Sequence, residues 1–187
     1  MAILPIYVAP HPVLKKIADA VEGGVTDEHR KLMDDMLDTM YATHGIGLAA
    51  PQVGESLRIL VLDVAQKGDI DEGTHEKGTP MFFVNPEITW TSDEQNIYNE
   101  GCLSVPGQYA EVERPEKCRV KFLDYDGNEQ EVEMEGLLAT CIQHEMDHLN
   151  GILFIDHLST LKRDMLMRKL KKWTKMNADD IAETHVL

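Results

Sequence analysis

The stretch GLLATCIQHEMDHLNG, residues 136–151, decides how the rest of the chain is arranged. Apolar residues recur in it at the spacing of a helix that is buried on much of its surface. They are Leu137, Leu138, Ile142 and Leu149. Gly136 precedes this pattern, and Gly151 is a typical helix stop. The sequence therefore predicts a largely buried helix over residues 137–150.

The same helix carries two histidines four residues apart, in His144-Glu145-Met146-Asp147-His148. Residues at this spacing lie on one helix face, so the two imidazoles can bind one transition metal together. Glu145 can act as general base on a water whose pKa the metal lowers toward about 7. The alternative is an exposed polar helix face. The apolar flanks count against it, because buried polar groups need partners and a metal supplies them.

A catalytic metal usually has three protein ligands, so a third one is expected. Cys102 is the best candidate, because it lies in the segment EGCLS (residues 100–104), where the preceding glycine lets the backbone come close to other groups. The alternative for a lone cysteine is a small buried hydrophobic side chain. That is our interpretation of Cys118 and Cys141, although Cys141 could also line a pocket beside His144.

Two other uses of the histidine pair stay open at this point. A zinc peptidase of the His-Glu-x-x-His type would take its third ligand after the helix, where Asp156 and His157 are available. A structural metal site would be closed by four protein ligands and is often rich in cysteine pairs. The sequence contains no Cys-x-x-Cys, which counts against the structural site.

The segment GIGLAAPQVG, residues 45–54, is a second candidate for function. Its small residues let a ligand approach the backbone closely, but no Gly-Lys-Ser/Thr follows, so it is not a phosphate loop. Gln52 is its only polar side chain. A neutral amide donor beside a metal suits an oxyanion that develops during attack on a carbonyl. A tight turn with a surface glutamine explains the segment equally well.

The other periodic segments predict helices and strands without a regular βαβ alternation. One helix should begin at Asp27 behind the cap Thr26, and another behind the cap Ser159. Strands are predicted over residues 58–63, 81–86, 117–125 and 129–135, and loops over residues 1–25 and 66–80. The turn signal Asp126-Gly127-Asn128 predicts that the last two strands pair as a hairpin. This order predicts an α+β fold in a single domain, residues 1–187.

The formal net charge of −15 is unevenly spread. Residues 162–175 contain seven Lys and Arg against one acid, whereas residues 1–161 carry a net charge of −18. An acidic body repels polyanions and excludes wholesale nucleic-acid binding, the basic segment excepted. That segment lies on the predicted C-terminal helix, residues 159–177. The apolar side of this helix would consist of Leu161, Met165, Leu166, Leu170 and Trp173.

No run of about 18 apolar residues is present, so we expect no membrane partner. The N-terminus lacks the basic and apolar regions of a secretory signal. The three cysteines are an odd, sparse set, which favours a reducing compartment and no disulfide partner. We therefore expect a cytoplasmic protein.

Taken together, three segments resemble the motifs of the peptide deformylase family. They are the glycine-rich segment 45–54, the Glu-Gly-Cys-Leu-Ser motif at 100–104 and the Gln-His-Glu-x-Asp-His-Leu motif at 143–149. The resemblance implies one cysteine and two histidines as metal ligands: Cys102, His144 and His148. It implies a general acid/base and two oxyanion donors as catalytic groups: Glu145, Gln52 and the backbone N–H of Leu103.

The resemblance also implies the reaction and the fold. The enzyme would hydrolyse the formyl group from the N-terminal formyl-methionine of newly synthesised polypeptides and release formate. It would use one divalent metal ion, with Fe2+ expected as the native ion and Zn2+ or Ni2+ as substitutes. The implied fold is α+β, with antiparallel sheets packed around a central helix that carries the two histidines.

Further residues match family positions around the substrate. Ile46, Leu137 and Cys141 would line the methionine pocket. Gly47 and Gly101 have little bulk, so their backbones could pair with an extended N-formyl-methionyl peptide.

Other positions match the family's charged pairs or depart from its pattern. Glu100 and Arg114 would form an ion pair near the pocket, and Asp147 would orient a ligand or its helix. Tyr109 stands where many relatives have arginine, and Thr140 stands where a larger apolar residue is frequent. The basic C-terminal helix resembles the one by which related bacterial enzymes approach the ribosome, although lysine-rich faces are also often just solvated.

Overall fold

The computed structural model describes residues 2–64, 78–177 and 185–186. This part of the chain contains three α-helices, α1 (Asp27–Ala42), α2 (Gly136–Leu149) and α3 (Thr160–Met176). The strands are β1 (Ile6–Tyr7), β2 (Gly47–Ala49), β3 (Ile59–Leu62), β4 (Met81–Thr91), β5 (Gln95–Cys102), β6 (Val105–Pro115), β7 (Lys117–Leu123), β8 (Glu129–Glu135) and β9 (His185–Val186). Short 3-10 helices span Pro12–Lys15, Ala50–Val53 and Phe154–His157.

Antiparallel pairing dominates the sheets, as expected. Five strands form one sheet in the order β2-β3-β4-β7-β8, and β5 and β6 form a separate hairpin. The predicted hairpin of residues 117–135 is present as β7 and β8. The pairing of β1 with β9 is parallel and is an exception to the expectation.

The helix that carries the histidines is central to this arrangement. α2 contacts strands of both antiparallel sheets, namely β2, β3, β7 and β8 of the large sheet and both strands of the hairpin. Ala139, Ile142 and Leu149 pack from α2 against Leu60 and Phe83 of the sheet. The α+β fold with antiparallel sheets around this helix is confirmed.

The ends of the helices follow the sequence signals. The Thr26 hydroxyl accepts a hydrogen bond from the backbone of His29 at the start of α1, and Ser159 caps α3 in the same way through Lys162. Gly151 has a φ of +70° just after α2, and a Cβ there would lie 2.5 Å from the carbonyl oxygen of Lys15. Only glycine fits this stop, as the sequence predicted.

Two predictions about the strands and loops were wrong, and two long strands were missed. The strand predicted to end at Pro86 continues to Thr91, because the register of β4 against β7 shifts between Val84 and Glu87 and proline is tolerated at such a bulge. β5 and β6 were not predicted at all. Residues 1–25 contain a short strand, and most of the loop predicted at residues 66–80 lies outside the described residues.

The predicted apolar side of α3 is only partly correct. Leu166 and Leu170 are buried against β6, but Leu161 is 80% exposed and Met165 is 48% exposed. None of the described helices has the length and hydropathy that a bilayer crossing requires.

Candidate metal centre and substrate cleft

Three side chains bring one sulfur and two ring nitrogens together. Cys102 lies at the end of β5, while His144 and His148 lie one turn apart on α2. Their ligand atoms all lie within 4.8 Å of one another, and the Cys102 Sγ is 3.3 Å from the Nε2 of His148. Both histidines are buried. In the described part of the chain, this is the only group of three or more His, Cys, Asp or Glu that could hold a metal ion.

The donor set fits one transition-metal ion. Sulfur and imidazole donors at about 2.3 and 2.0 Å from a tetrahedral ion lie roughly 3.5 Å apart, close to the separation of Sγ and Nε2 here. The buried Nδ1 of His148 has no hydrogen-bond partner among the described residues. The Nε2 of the same ring faces Cys102, so it is the nitrogen placed to bind an ion, with the proton on Nδ1.

The two imidazoles have opposite electrostatic surroundings. Burial lowers the pKa of His144, but hydrogen bonds to Cys102 and Glu100 outweigh burial and raise this pKa well above its ordinary value. Burial and the neighbouring His144 hold the pKa of His148 well below its ordinary value. His148 is therefore neutral at physiological pH, which is the form in which imidazole binds a metal.

Glu145 lies beside the cluster with one free carboxylate oxygen. The side chain is buried, and its Oε2 has no hydrogen-bond partner among the described residues. Burial raises the pKa of Glu145 to about 7, against the opposing effect of His144. A carboxyl group with a pKa near 7 can accept and return a proton at neutral pH.

Gln52 directs its amide nitrogen toward the same cluster. Its Oε1 accepts a hydrogen bond of 2.8 Å from the backbone N–H of Ala49, which orients the side chain. The Nε2 then lies 3.2 Å from the Oγ of Ser104 and 3.6 Å from the Sγ of Cys102. The side chain is 1% exposed, so the surface glutamine weighed above is wrong.

Ser104 was missed as a site residue, although it lies inside the EGCLS segment that the sequence singled out. It is fully buried, and its hydroxyl contacts the Gln52 amide. Leu103 lies in the turn between Cys102 and Val105, which are paired across the hairpin.

A cavity of about 680 Å³ opens beside these groups. His144, Glu145, Gln52, Cys102 and Leu103 line it. It is also lined by every residue predicted to contact substrate, which are Ile46, Gly47, Gly101, Leu137 and Cys141, and by both departures from the family pattern, Tyr109 and Thr140.

Two glycines allow neighbouring side chains to pack tightly against the backbone at this cavity. A Cβ on Gly47 would lie 2.5 Å from the Oε1 of Glu145 and 2.8 Å from the Cδ2 of Leu62. A Cβ on Gly101 would collide with the ring of Tyr109. Larger residues at either position would displace the groups that face the cavity.

A network of buried charged side chains contacts the cluster formed by Cys102, His144 and His148. Arg114 donates two hydrogen bonds to Glu100, of 2.6 and 3.0 Å, and a third of 2.9 Å to Asp147. Glu100 Oε2 lies 2.8 Å from the Nδ1 of His144. Burial acts to raise the pKa of Glu100, but the bonds with His144 and Arg114 outweigh it and lower that pKa, so the carboxylate stays ionised.

The residues proposed for a zinc peptidase do not join the cluster. The Nε2 of His157 instead lies 2.7 Å from Asp147 Oδ2. Asp156 accepts a hydrogen bond from the backbone of Leu153 and pairs with Lys15. The third donor atom beside the two histidine nitrogens is the sulfur of Cys102.

Comparison with known proteins identifies the relatives of this chain. Residues 3–164 match the family described as polypeptide deformylase. The peptide deformylase of Phenylobacterium zucineum is 55% identical over 94% of this chain and 99% of its own length. That of Zymomonas mobilis is 56% identical over 96% of this chain and 99% of its own length.

Solved structures give the same result. The crystal structure of peptide deformylase from Ehrlichia chaffeensis has a TM-score of 0.87 at 43% identity and covers 95% of this chain and 99% of its own. A second structure of that enzyme, in complex with actinonin, has a TM-score of 0.84 at 45% identity and covers 92% of this chain and 98% of its own.

Proposed function

This chain belongs to the peptide deformylase family, and from that premise we propose which of its residues carry out the reaction. The protein is a metal-dependent hydrolase that removes the formyl group from the N-terminal formyl-methionine of newly synthesised polypeptides and releases formate. The observation that supports the assignment of residues is the cluster of Cys102, His144 and His148 beside the buried Glu145.

Cys102, His144 and His148 are the proposed ligands of the catalytic metal. When bound, a divalent cation at these donors lowers the pKa of water and polarises a carbonyl oxygen. Fe2+ is the proposed native ion, with Zn2+ and Ni2+ able to use the same donors, since thiolate and imidazole suit all three. Metal analysis of protein purified without oxygen should find iron; active protein free of iron would contradict this choice.

The proton transfers are assigned to Glu145. Its free Oε2 can take a proton from the attacking water, and the same carboxyl can return the proton to the amine that leaves. The amide N–H of Gln52 and the backbone N–H of Leu103 are the proposed donors to the formyl oxygen as it gains negative charge.

The substrate is proposed to bind as an added strand with its methionine in the cavity. β2 is an edge strand of the large sheet and β5 pairs only with β6 among the described strands, so Gly47 and Gly101 can both pair with an extended peptide. Ile46, Leu137 and Cys141 supply an apolar lining for the methionine side chain. The formyl carbon carries a hydrogen atom where other acyl groups carry a carbon substituent. A narrow space beside the metal would therefore exclude larger acyl groups.

Formate release from formyl-Met-Ala-Ser tests this assignment. Glu145→Gln should lower kcat by about 10²–10⁴-fold while the protein keeps its metal, because a neutral amide cannot accept the proton. Glu111→Gln changes an exposed acid of β6 and should leave kcat unchanged. Full activity in Glu145→Gln would refute the role of Glu145, and a metal-loaded wild-type protein that releases no formate would refute the activity itself.

The exposed basic face of α3 is a proposed contact to the ribosome. α3 packs on β6 through Leu166 and Leu170, and the side chains of Lys169, Lys171 and Lys172 are exposed. The protein as a whole is negatively charged, but this face is positively charged and can therefore approach ribosomal RNA. Changing the three lysines to Glu should abolish co-sedimentation with ribosomes, whereas changing them to Arg should preserve it. Unchanged binding of the Glu variant would end the proposal.

We also propose that residues 1–187 form a single domain with residues 159–177 as its basic C-terminal helix. The burial of α3 against β6 supports this. A cytoplasmic location is proposed because the substrates are newly made polypeptides.

A further inference from the structure

A second cavity lies against a different face of α2. Its volume is about 470 Å³, and its lining includes Gln143, Met146 and Asp147 of α2 together with Arg114 and His157. None of these residues lines the substrate cavity. The 3-10 helix Phe154–His157 brings His157 to this cavity, where its side chain is 37% exposed.

An unbroken series of hydrogen bonds joins His157 to the metal cluster. His157 Nε2 lies 2.7 Å from Asp147 Oδ2, and Arg114 Nη1 donates to the same oxygen over 2.9 Å. Arg114 holds both oxygens of Glu100, and Glu100 Oε2 lies 2.8 Å from His144 Nδ1. Side-chain exposure falls along the series from 37% at His157 to 19% at Asp147 and 5% at Arg114.

We propose that His157 is a positioning residue for the metal ligand His144 and acts through Asp147, Arg114 and Glu100. The inference rests on the proposed role of His144 as a ligand. The Nδ1–H of His144 donates to Glu100, which leaves Nε2 as the ligand atom and sets the orientation of the ring.

The guanidinium group of Arg114 couples Asp147 to Glu100. This group lies between two carboxylates, and its plane is set by both of them. The N–H of His157 shares the negative charge of Asp147 with Arg114. Without that N–H, Asp147 would attract Arg114 more strongly, and the two bonds to Glu100 would lengthen. The ring of His144 would then lose part of its fixed orientation.

Two substitutions separate the hydrogen bond from the bulk of the side chain. His157→Gln keeps an N–H close to the position of Nε2, whereas His157→Leu removes the donor and keeps the volume. Glu113→Leu changes an exposed residue that lines the same cavity but takes no part in the series, and it controls for disturbance of the cavity.

Metal retention is the main readout, since it is independent of turnover. Each variant is loaded with Co2+, and transfer of the ion to a chelator is timed. We expect His157→Leu to lose Co2+ about 10-fold faster than wild type, because loss of a residue that orients a metal ligand typically weakens metal binding. Its cobalt absorption bands should also shift. His157→Gln and Glu113→Leu should match wild type. In deformylation, His157→Leu should lower kcat and change KM by less than about twofold.

Wild-type Co2+ retention and kcat in His157→Leu would overturn the inference. So would an equal defect in His157→Gln, because the hydrogen bond would then not be the cause. A lower melting temperature with unchanged Co2+ release would show a purely structural role and would also overturn it. Failure of the proposed function has a different signature, in which wild-type protein binds no Co2+ or binds it and releases no formate.

Discussion

Replacing Arg114 by Met removes the cation that lies between two carboxylates behind the metal cluster. Arg114 and Glu100 are each 5% exposed at the side chain, and three hydrogen bonds of 2.6 to 3.0 Å join Arg114 to Glu100 and Asp147. Methionine keeps much of the apolar volume but cannot donate. Glu100 would stay buried with only His144 beside it, and Asp147 would keep only the bond from His157.

The expected cost follows from this burial. Removing one partner of a buried ion pair destabilises a protein by about 3–5 kcal/mol, because the remaining charge is left uncompensated. Unfolding entropy of about 2.1 cal/mol/K per residue amounts to roughly 0.4 kcal/mol/K for the 187 residues of this chain. A loss of about 4 kcal/mol should therefore lower Tm by roughly 10 °C.

Urea and thermal unfolding, followed by circular dichroism, measure this loss in metal-free protein, so that metal binding adds nothing to stability. Arg119→Met is the matched control, because Arg119 pairs with Glu133 over 2.8 Å at a site where the side chains are 45% and 50% exposed. That variant should lose less than about 1 kcal/mol. If Arg114→Met loses no more than the control, the reasoning about buried charge is wrong.

Three further predictions concern the cavity and two buried cysteines. Gln52→Leu should lower kcat by roughly 10²–10³-fold at full metal content, because one donor to the developing oxyanion is lost; wild-type kcat would exclude that role. Gly47→Ala should lower kcat by about 10²-fold, since the new Cβ displaces the Glu145 carboxylate, and an unchanged kcat would show that the carboxylate position is not critical. Burial raises the pKa of Cys118 to about 11 and that of Cys141 to about 12, so at pH 8 their thiolate fractions are roughly 10⁻³ and 10⁻⁴. Mass spectrometry should show iodoacetamide modifying both far more slowly in folded protein than in urea, and equal rates would contradict their burial.

Local patterns were sufficient for the helices and for one hairpin. The spacing of Leu138, Ile142 and Leu149 predicted α2 because a helix repeats its faces every 3.6 residues. The turn at residues 126–128 predicted the pairing of β7 with β8 because the two strands adjoin it. In each case the residues that decide the structure lie within one helix or one hairpin.

β5 could not be predicted in this way. Its residues from Gln95 to Cys102 are mostly polar, and their exposure alternates without a continuous apolar face. The strand forms because β6 pairs with it along its length, and β-strand preference depends on such neighbours more than on composition. The position of Cys102 depends on this strand.

By itself, the sequence determined the two histidines on one helix face, since a spacing of four residues is a property of the helix. It also brought Cys102 and Gln52 into consideration, through the segments EGCLS and GIGLAAPQVG, and the resemblance to a family implied their roles. Only the tertiary structure decided that the Cys102 sulfur lies 3.3 Å from His148, 46 residues away, and that His157 contacts Asp147 instead of the metal cluster. Contacts of this kind depend on how strands and helices pack, and packing is set by the burial of many side chains together rather than by the residues that touch.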